Sequence, residues 1–309
     1  MNAESQPGAP PAPTRDASTL VLLRMRPTAP PFELLLMRRH AKQRFMGKAF
    51  VYPGGQLDEL DCNPSLALYA NGITADIAKR RLREKNLSGE KALGLFFAAI
   101  RETFEESGVL MGGRTSGRDI DFKDAAVSRQ FAEYRAMIHQ QKMSLEDLAK
   151  EEKLVFWLDR LMPFAHWVTP EAEPKRFDTR FFLAPIPHGQ APAHDALEMT
   201  ETMWLTPKEA LNKQTAGEVL LMPPTIKTIE EMSVFSSLGD LLGYAASRSI
   251  PTILPQITTE GDRVVVKLPN DPEYTIAGSK QRLRPNEISR IVIVEGRLKA
   301  VCFWEQTGC

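Results

Sequence analysis

The chain opens with apolar positions in short runs rather than long ones. TLVLLRM (Thr19–Met25) and FELLLM (Phe32–Met37) are too short for buried helices and are parted by the Pro-rich RPTAPP, so two strands around a turn are expected. A third short run, Ala49–Tyr52, ends at Pro53-Gly54-Gly55, read as a tight turn where backbone approaches a ligand closely. The period then lengthens. Ala75–Lys85 reads as a helix with a basic surface, Ser88-Gly89 breaks it, and a second helix should run from about Glu90 to Ser107, with Gly108 as its left-handed cap.

Further on, Lys123–Lys150 looks helical and highly charged. Phe156–Leu158 and Phe164–Val168 suggest strand or loop, Arg180–Ala184 a strand, and Leu197–Leu205 alternates as a strand does. Thr206 and Glu209 have capping-box spacing before a helix. After Pro223-Pro224, Thr225–Ser247 reads as one or two helices with a break near Ser236–Gly239. Val264–Lys267 and a hairpin, Arg290–Val294 with Leu298–Trp304 turning at Glu295-Gly296, close the chain. Strands interleaved with helices predict a layered α/β (α+β) domain.

Composition narrows the classes. At 43% hydrophobic and 25% charged, the 309 residues suit an ordinary globular protein of one large or two modest domains. Lys+Arg and Asp+Glu are 39 each, so no overall field favours nucleic acid, and no apolar run suggests a membrane span. The scattered Cys62, Cys302 and Cys309 lack metal-ligand spacing, which together with the absence of signal-peptide features predicts free thiols and a cytoplasmic location. The Pro- and Ala-rich residues 1–17 are expected to form a disordered tail.

RETFEESG (Arg101–Gly108) places three glutamates and an arginine in eight residues between apolar flanks. Glu102 lies three and four positions from Glu105 and Glu106, so the carboxylates share a helix face, where they repel. A hard divalent cation would relieve that repulsion.

With the Gly-Gly turn, this stretch resembles the signature of the Nudix hydrolases, G-x5-E-x7-R-E-U-x-E-E-x-G-U with U aliphatic. Gly55 matches the first Gly, and Arg101, Glu102, Glu105, Glu106, Gly108 and Val109 the closing half. Thr103 replaces an aliphatic residue and Asp61 the early Glu. Between Asp61 and Arg101 stand 39 residues, an insertion of 32. One Nudix branch, related to the mammalian peroxisomal coenzyme A diphosphatase, is similar in having a helical insert there and in its P-G-G-x-x-D-x-x-D pattern, here Pro53–Asp61. His166–Ala184 and Glu201–Leu211 resemble further segments of that branch.

The resemblance implies a Nudix-type α/β/α sandwich with a mixed sheet over residues 18–212, interrupted by a helical insertion at about 62–97, and a C-terminal α+β extension over 213–309. It implies Mg²⁺ or Mn²⁺ held by Glu102, Glu105 and Glu106, with Arg101 orienting Glu105. Glu105, Glu198 and Glu201 are candidates for the general base. Gly54, Gly55, Arg39 and Arg44 are candidates for substrate contact, and Asp58 and Asp61 could support the metal or cap the insert. The implied substrate is a small nucleotide of the coenzyme A type, cleaved at its diphosphate to 3′,5′-ADP and (acyl-)4′-phosphopantetheine. ADP-ribose or NADH, or a silent nucleotide sensor, are the rival expectations. A homodimer is allowed for, and neither nucleic acid nor membrane is expected as a partner.

Overall fold

The structure is a computed structural model, and it describes residues 11–26, 28, 32–41, 47–117, 120–195, 198–278, 280–282, 287–294 and 297–303. In chain order its elements are β1 (Thr14–Met25), β2 (Phe32–Arg39), β3 (Phe50–Val51), β4 (Gly54–Gln56), α1 (Ala75–Leu82), α2 (Gly89–Ser107), β5 (Gly112–Arg114), α3 (Ala125–His139), α4 (Leu145–Glu152) and β6 (Leu154–Phe156). They continue with β7 (Met162–Val168), β8 (Arg176–Pro185), β9 (Met199–Leu205), α5 (Pro207–Ala216), α6 (Pro223–Met232), α7 (Leu238–Ser247), β10 (Thr252–Ile253), β11 (Gln256–Glu260), β12 (Arg263–Lys267), β13 (Arg290–Val294) and β14 (Arg297–Val301).

The main sheet is mixed, with the path β10-β7-β8-β1-β2-β3. β1 lies parallel to β8 from Thr14↔Arg176 to Leu23↔Pro185. Its other edge is shared, with β4 opposite Ala17–Thr19 and β2 opposite Leu23–Met25. β9 adds to β2. Leu20, Val21, Leu22 and Leu23 are all buried, as befits a strand covered on both faces. Leu20, Leu22, Leu35 and Met37 pack under α2, whereas Val21, Leu23, Leu34 and Leu36 pack under α6 and α7. Helices therefore cover both faces of the sheet.

Between Ala92 and Ile100, α2 is buried on every side. That suits an apolar helix enclosed by sheet, insert and α3. Ser88 accepts from the Lys91 N–H at its start, and Gly108 ends it at φ 70°. Thr103, the departure from the aliphatic position, is buried, and its hydroxyl donates to the Ala99 carbonyl at 2.7 Å. No polar group is left unmatched there.

Several expectations change. Thr14–Ala17 belong to β1, held by β8 and β4, so the tail predicted for 1–17 gives way to strand at Thr14. Gly54-Gly55 form part of β4 rather than a plain turn. Lys123–Lys150 is two helices, parted where Gln141 takes φ 55°. The insertion's expected end near 97 falls inside α2, which runs unbroken from Gly89. Residue 213 is no physical border, because α5 spans it, α6 and α7 cover the main sheet, and β10 pairs with β7. β11 escaped notice because Gln-Ile-Thr-Thr-Glu is a polar sheet edge; it starts the antiparallel sheet β11-β12-β13-β14. The predicted turn Glu295-Gly296, Trp304 and Cys309 lie outside the described residues. Among the described residues no helix is long and apolar enough to cross a membrane.

Arg180 ties the insert to the sheet. Its guanidinium meets Glu84 at 2.6 Å, Asp16 at 2.5 Å and Asp178 at 3.3 Å. Asp178 also contacts His166, which in turn meets the Thr252 hydroxyl at 3.1 Å. Arg180→Met would take from Glu84 its two-oxygen partner and leave Asp16 to Lys91 and Asp178 to His166, and should cost about 3 kcal/mol in urea unfolding. A loss under about 1 kcal/mol would show the network to be a solvated surface cluster.

Candidate active site

The acidic stretch occupies the last two turns of α2, facing β4 and the 3-10 turn Glu59–Cys62. At its centre is Arg101, with only 12% of its side chain exposed. Nε and Nη2 donate to the two Asp61 carboxylate oxygens, each at 2.9 Å. Nη2 also donates to the Gln56 carbonyl at 2.8 Å, and Nη1 to Glu102 at 2.8 Å and Glu105 at 3.0 Å. Burial opposes the Arg101 charge, but Asp61, Glu102 and Glu105 raise its pKa, so it stays protonated. The expected pairing with Glu105 is present, and Arg101 does more than orient one carboxylate. Asp61, left open between metal support and capping, is its two-oxygen partner and also accepts from the Asp58 N–H at 2.9 Å. Burial pushes the Asp61 carboxyl up against those hydrogen bonds.

The three glutamates do not meet at one point. Among the described residues, no three His, Cys, Asp or Glu side chains converge to hold a metal ion as they stand. Helix geometry separates Glu105 from Glu106 by about 100°. Glu106, buried, accepts from the Gly54 N–H at 3.0 Å. Glu102 lies against Gly55, where a Cβ would come within 2.5 Å of its carboxyl carbon. A Cβ at Gly54 would stand 2.5 Å from the Ser18 carbonyl oxygen of β1. Gly54 is thus demanded by close approach to backbone, whereas a side chain at Gly55 would push the Glu102 carboxylate aside. Glu105 turns instead toward α3, with His139 Nδ1 3.4 Å from its carboxylate. Arg135 Nε donates to the Glu105 carbonyl at 2.7 Å.

Burial raises the Glu102 pKa to about 7, opposed by the Arg101 charge and aided by Glu105. Burial also drives Glu106 well above the usual carboxylate range; the Glu102 charge adds to this, while the Gly54 N–H and the Arg39 charge work against it. All-oxygen donors, buried and repelling one another, are the donor set that a hard divalent cation fits.

The other candidates divide. Arg39 follows Met37 on the α2 face of β2, where its charge acts on Glu106. Glu198 is near enough to raise Glu106, and its N–H is held by Asp195 at 3.1 Å. Glu201 sits opposite Arg38, with which it pairs at 3.3 Å. Leu36 and its partner Met203 place that alternation on the opposite face of the sheet. Glu201 is therefore corrected from candidate base to a surface ion pair: one residue of register decides the face. Arg44 lies outside the described residues. On the insert, Arg81 donates to the Asp159 and Leu161 carbonyls and Arg83 to the Arg248 carbonyl, so both are engaged in binding elements together. Sequence reasoning missed Arg135 and His139. Their only signal was i,i+4 spacing on a charged helix, which points nowhere without knowledge of what α3 packs against.

Residues 14–232 match the family model described as the NUDT19 Nudix domain. The chain is 25% identical over 316 aligned residues to an acyl-coenzyme A diphosphatase NUDT19 of Xenopus laevis, covering 86% of this chain and 82% of that protein. It is 28% identical to the Gallus gallus protein of the same name, covering 79% of this chain and 75% of the relative. Among solved structures, a Nudix hydrolase from Alicyclobacillus acidocaldarius superposes with a TM-score of 0.63 at 26% identity, over 77% of this chain and 98% of that one.

Gly55→Ala should displace the Glu102 carboxylate, a mobile side-chain end, and lower kcat about 10²-fold. Circular dichroism should be unchanged; wild-type turnover would show that Glu102 need not lie against this backbone. Glu106→Gln tests the electrostatics. A carboxyl whose folded pKa is raised adds stability below its unfolded pKa and loses it as pH rises. In metal-free protein the variant should therefore melt several degrees higher than wild type at pH 8 and gain nothing at pH 4.5. An equal gain at both values would contradict a raised Glu106 pKa.

Proposed function

The chain belongs to the NUDT19-type Nudix hydrolases, and on that premise we propose that it is a divalent-metal-dependent diphosphatase acting on coenzyme A or acyl-coenzyme A. The observation that carries this reading is the Arg101-anchored acidic cluster within a domain whose relatives are named acyl-coenzyme A diphosphatases. Glu102 and Glu106 would hold the cation, Mg²⁺ or Mn²⁺. When bound, it would neutralise the diphosphate and lower the pKa of attacking water.

The chain's own residues supply the rest. Glu105 is held between Arg101 and His139 and is the first candidate to orient water and take its proton. Glu198 is the second candidate, because its charge reaches Glu106. Arg39, beside Glu106 on the same face, is suited to a phosphate oxygen. Water oxygen bonds to one phosphorus, the P–O–P bridge breaks, and the bridging oxygen leaves with the other phosphate. For coenzyme A the products are 3′,5′-ADP and 4′-phosphopantetheine, acylated where the substrate is.

Mass spectrometry of products from coenzyme A, acyl-coenzyme A, dephospho-coenzyme A and ADP-ribose tests this, with Mg²⁺ or Mn²⁺ and with EDTA. The expected outcome is 3′,5′-ADP from coenzyme A and its thioesters, none in EDTA, and slower dephospho-coenzyme A cleavage. Faster turnover of ADP-ribose would sink the substrate assignment and keep the chemistry. Full turnover in EDTA would sink the metal.

A further inference from the structure

Beside the acidic cluster, a cleft opens between residues 58–66, which lead into the insert, and the connection from α3 to α4. Its enclosed part is small, about 60 Å³, and it opens to solvent along its length, so a ligand arm would lie along it rather than be swallowed by it. Its inner end is formed by Asp61, Arg101 and Glu105. Apolar residues stand on both walls, Leu60 and Leu66 on one side and Ile138, Met143 and Leu145 on the other, among polar ones. We propose that this cleft receives the pantetheine arm of the substrate while the ADP half lies on the opposite side of the α2 terminus. The inference rests on the reading of function given above and adds to it which way round the substrate lies.

Charge sets the direction. Asp58, Asp61 and Glu105 line the cleft. The guanidinium there, Arg101, is already shared among Asp61, Glu102, Glu105 and the Gln56 carbonyl. His139 stands against Glu105. Among the described residues, a 3′-phosphate entering here would meet three carboxylates and only the shared Arg101 guanidinium. The pantetheine arm carries no charge, and its gem-dimethyl group lies close to the phosphate that joins it to the nucleotide. That group would meet the apolar wall residues just as its phosphate reached Glu105. On the far side of the cluster, at Glu106, the charges of both Arg39 and Glu198 act, so that side, unlike the cleft, brings a second guanidinium near the ADP half.

Exposure points the same way. Leu60 is 56% exposed on the cleft wall, although its neighbour Asp61 is buried. A large aliphatic side chain held out beside a charged site gains when an uncharged ligand covers it. Gln141 and Ser144, also on the lining, offer polar atoms within the same wall for an arm that carries two amides.

The test uses the two product halves as competitive inhibitors of coenzyme A hydrolysis. Leu60→Glu and Met143→Glu place a carboxylate on each wall, at positions that are exposed and half-buried in the free protein. In both variants the Ki of 4′-phosphopantetheine should rise about 10-fold, a loss of about 1.4 kcal/mol. The Ki of 3′,5′-ADP should stay within about twofold of wild type. Unchanged inhibition by 4′-phosphopantetheine, or a rise for 3′,5′-ADP instead, would overturn the proposed orientation. If wild type hydrolyses no coenzyme A, the reading of function fails separately. Calorimetric titration of 4′-phosphopantetheine into wild type and Leu60→Glu then decides the cleft directly: binding lost in the variant supports it, while equal binding, or none to wild type, overturns it.

Discussion

Arg101 is the constraint on which the arrangement turns. One guanidinium draws together a helix, a strand carbonyl and a buried aspartate 40 residues away in sequence. Without it, Asp61, Glu102 and Glu105 would be like charges crowded in a partly dry setting, where burial alone pushes Asp61 and Glu102 toward protonation. With it, three carboxylates keep fixed directions. The planar, multiply donating head of arginine makes this feasible in a way that the point charge of lysine does not.

The rest of the fold delivers partners to that hub. β1 positions β4, and β4 brings Gly54 and Gly55 close enough for a backbone N–H to reach Glu106 and for Glu102 to lie against Gly55. The insert departs just after Asp61 and returns as the start of α2, so the interruption lengthens the chain without parting Asp61 from Arg101. Arg180 fastens the far end of the insert to the sheet through Glu84. α3 closes the other side, where His139 and Arg135 engage Glu105. The cluster thereby acquires two sides of different character: one where the charges of Arg39 and Glu198 act at Glu106, and one at Glu105, where the cleft mixes apolar residues with carboxylates.

Much of this was legible in local sequence chemistry. The cap residues Thr206 and Gly108 mark their helix ends because capping depends only on neighbours within a turn, and Ser88, read only as a break, proves to be the N-cap of α2. The motif around Arg101 pointed to the acidic cluster because helical spacing is local. What was lost depended on packing. Glu198 and Glu201 were both candidates, yet the pairing with β2 puts Glu201 beside Arg38 on the opposite face, while the bulge at Arg38/Arg39 turns Met199 to the α2 face. The Glu102–Glu105–Glu106 set reads as one convergent trio in sequence. Folded, Arg101 and His139 draw Glu105 aside, while Gly54 holds Glu106. The polar strand β11 lacks the apolar alternation that marks a half-buried strand, so only its partner β12 was visible.

The central claim is that Glu102 and Glu106, beside Gly54 and Gly55, form the seat of a catalytic divalent cation. Crystals soaked in Mn²⁺ and measured for anomalous scattering would test it most directly. The account predicts an anomalous peak within coordination distance of Glu102 and Glu106 oxygens, lost in crystals of Glu106→Gln. A peak elsewhere, or none at millimolar Mn²⁺ in crystals with the site open to solvent, would contradict it.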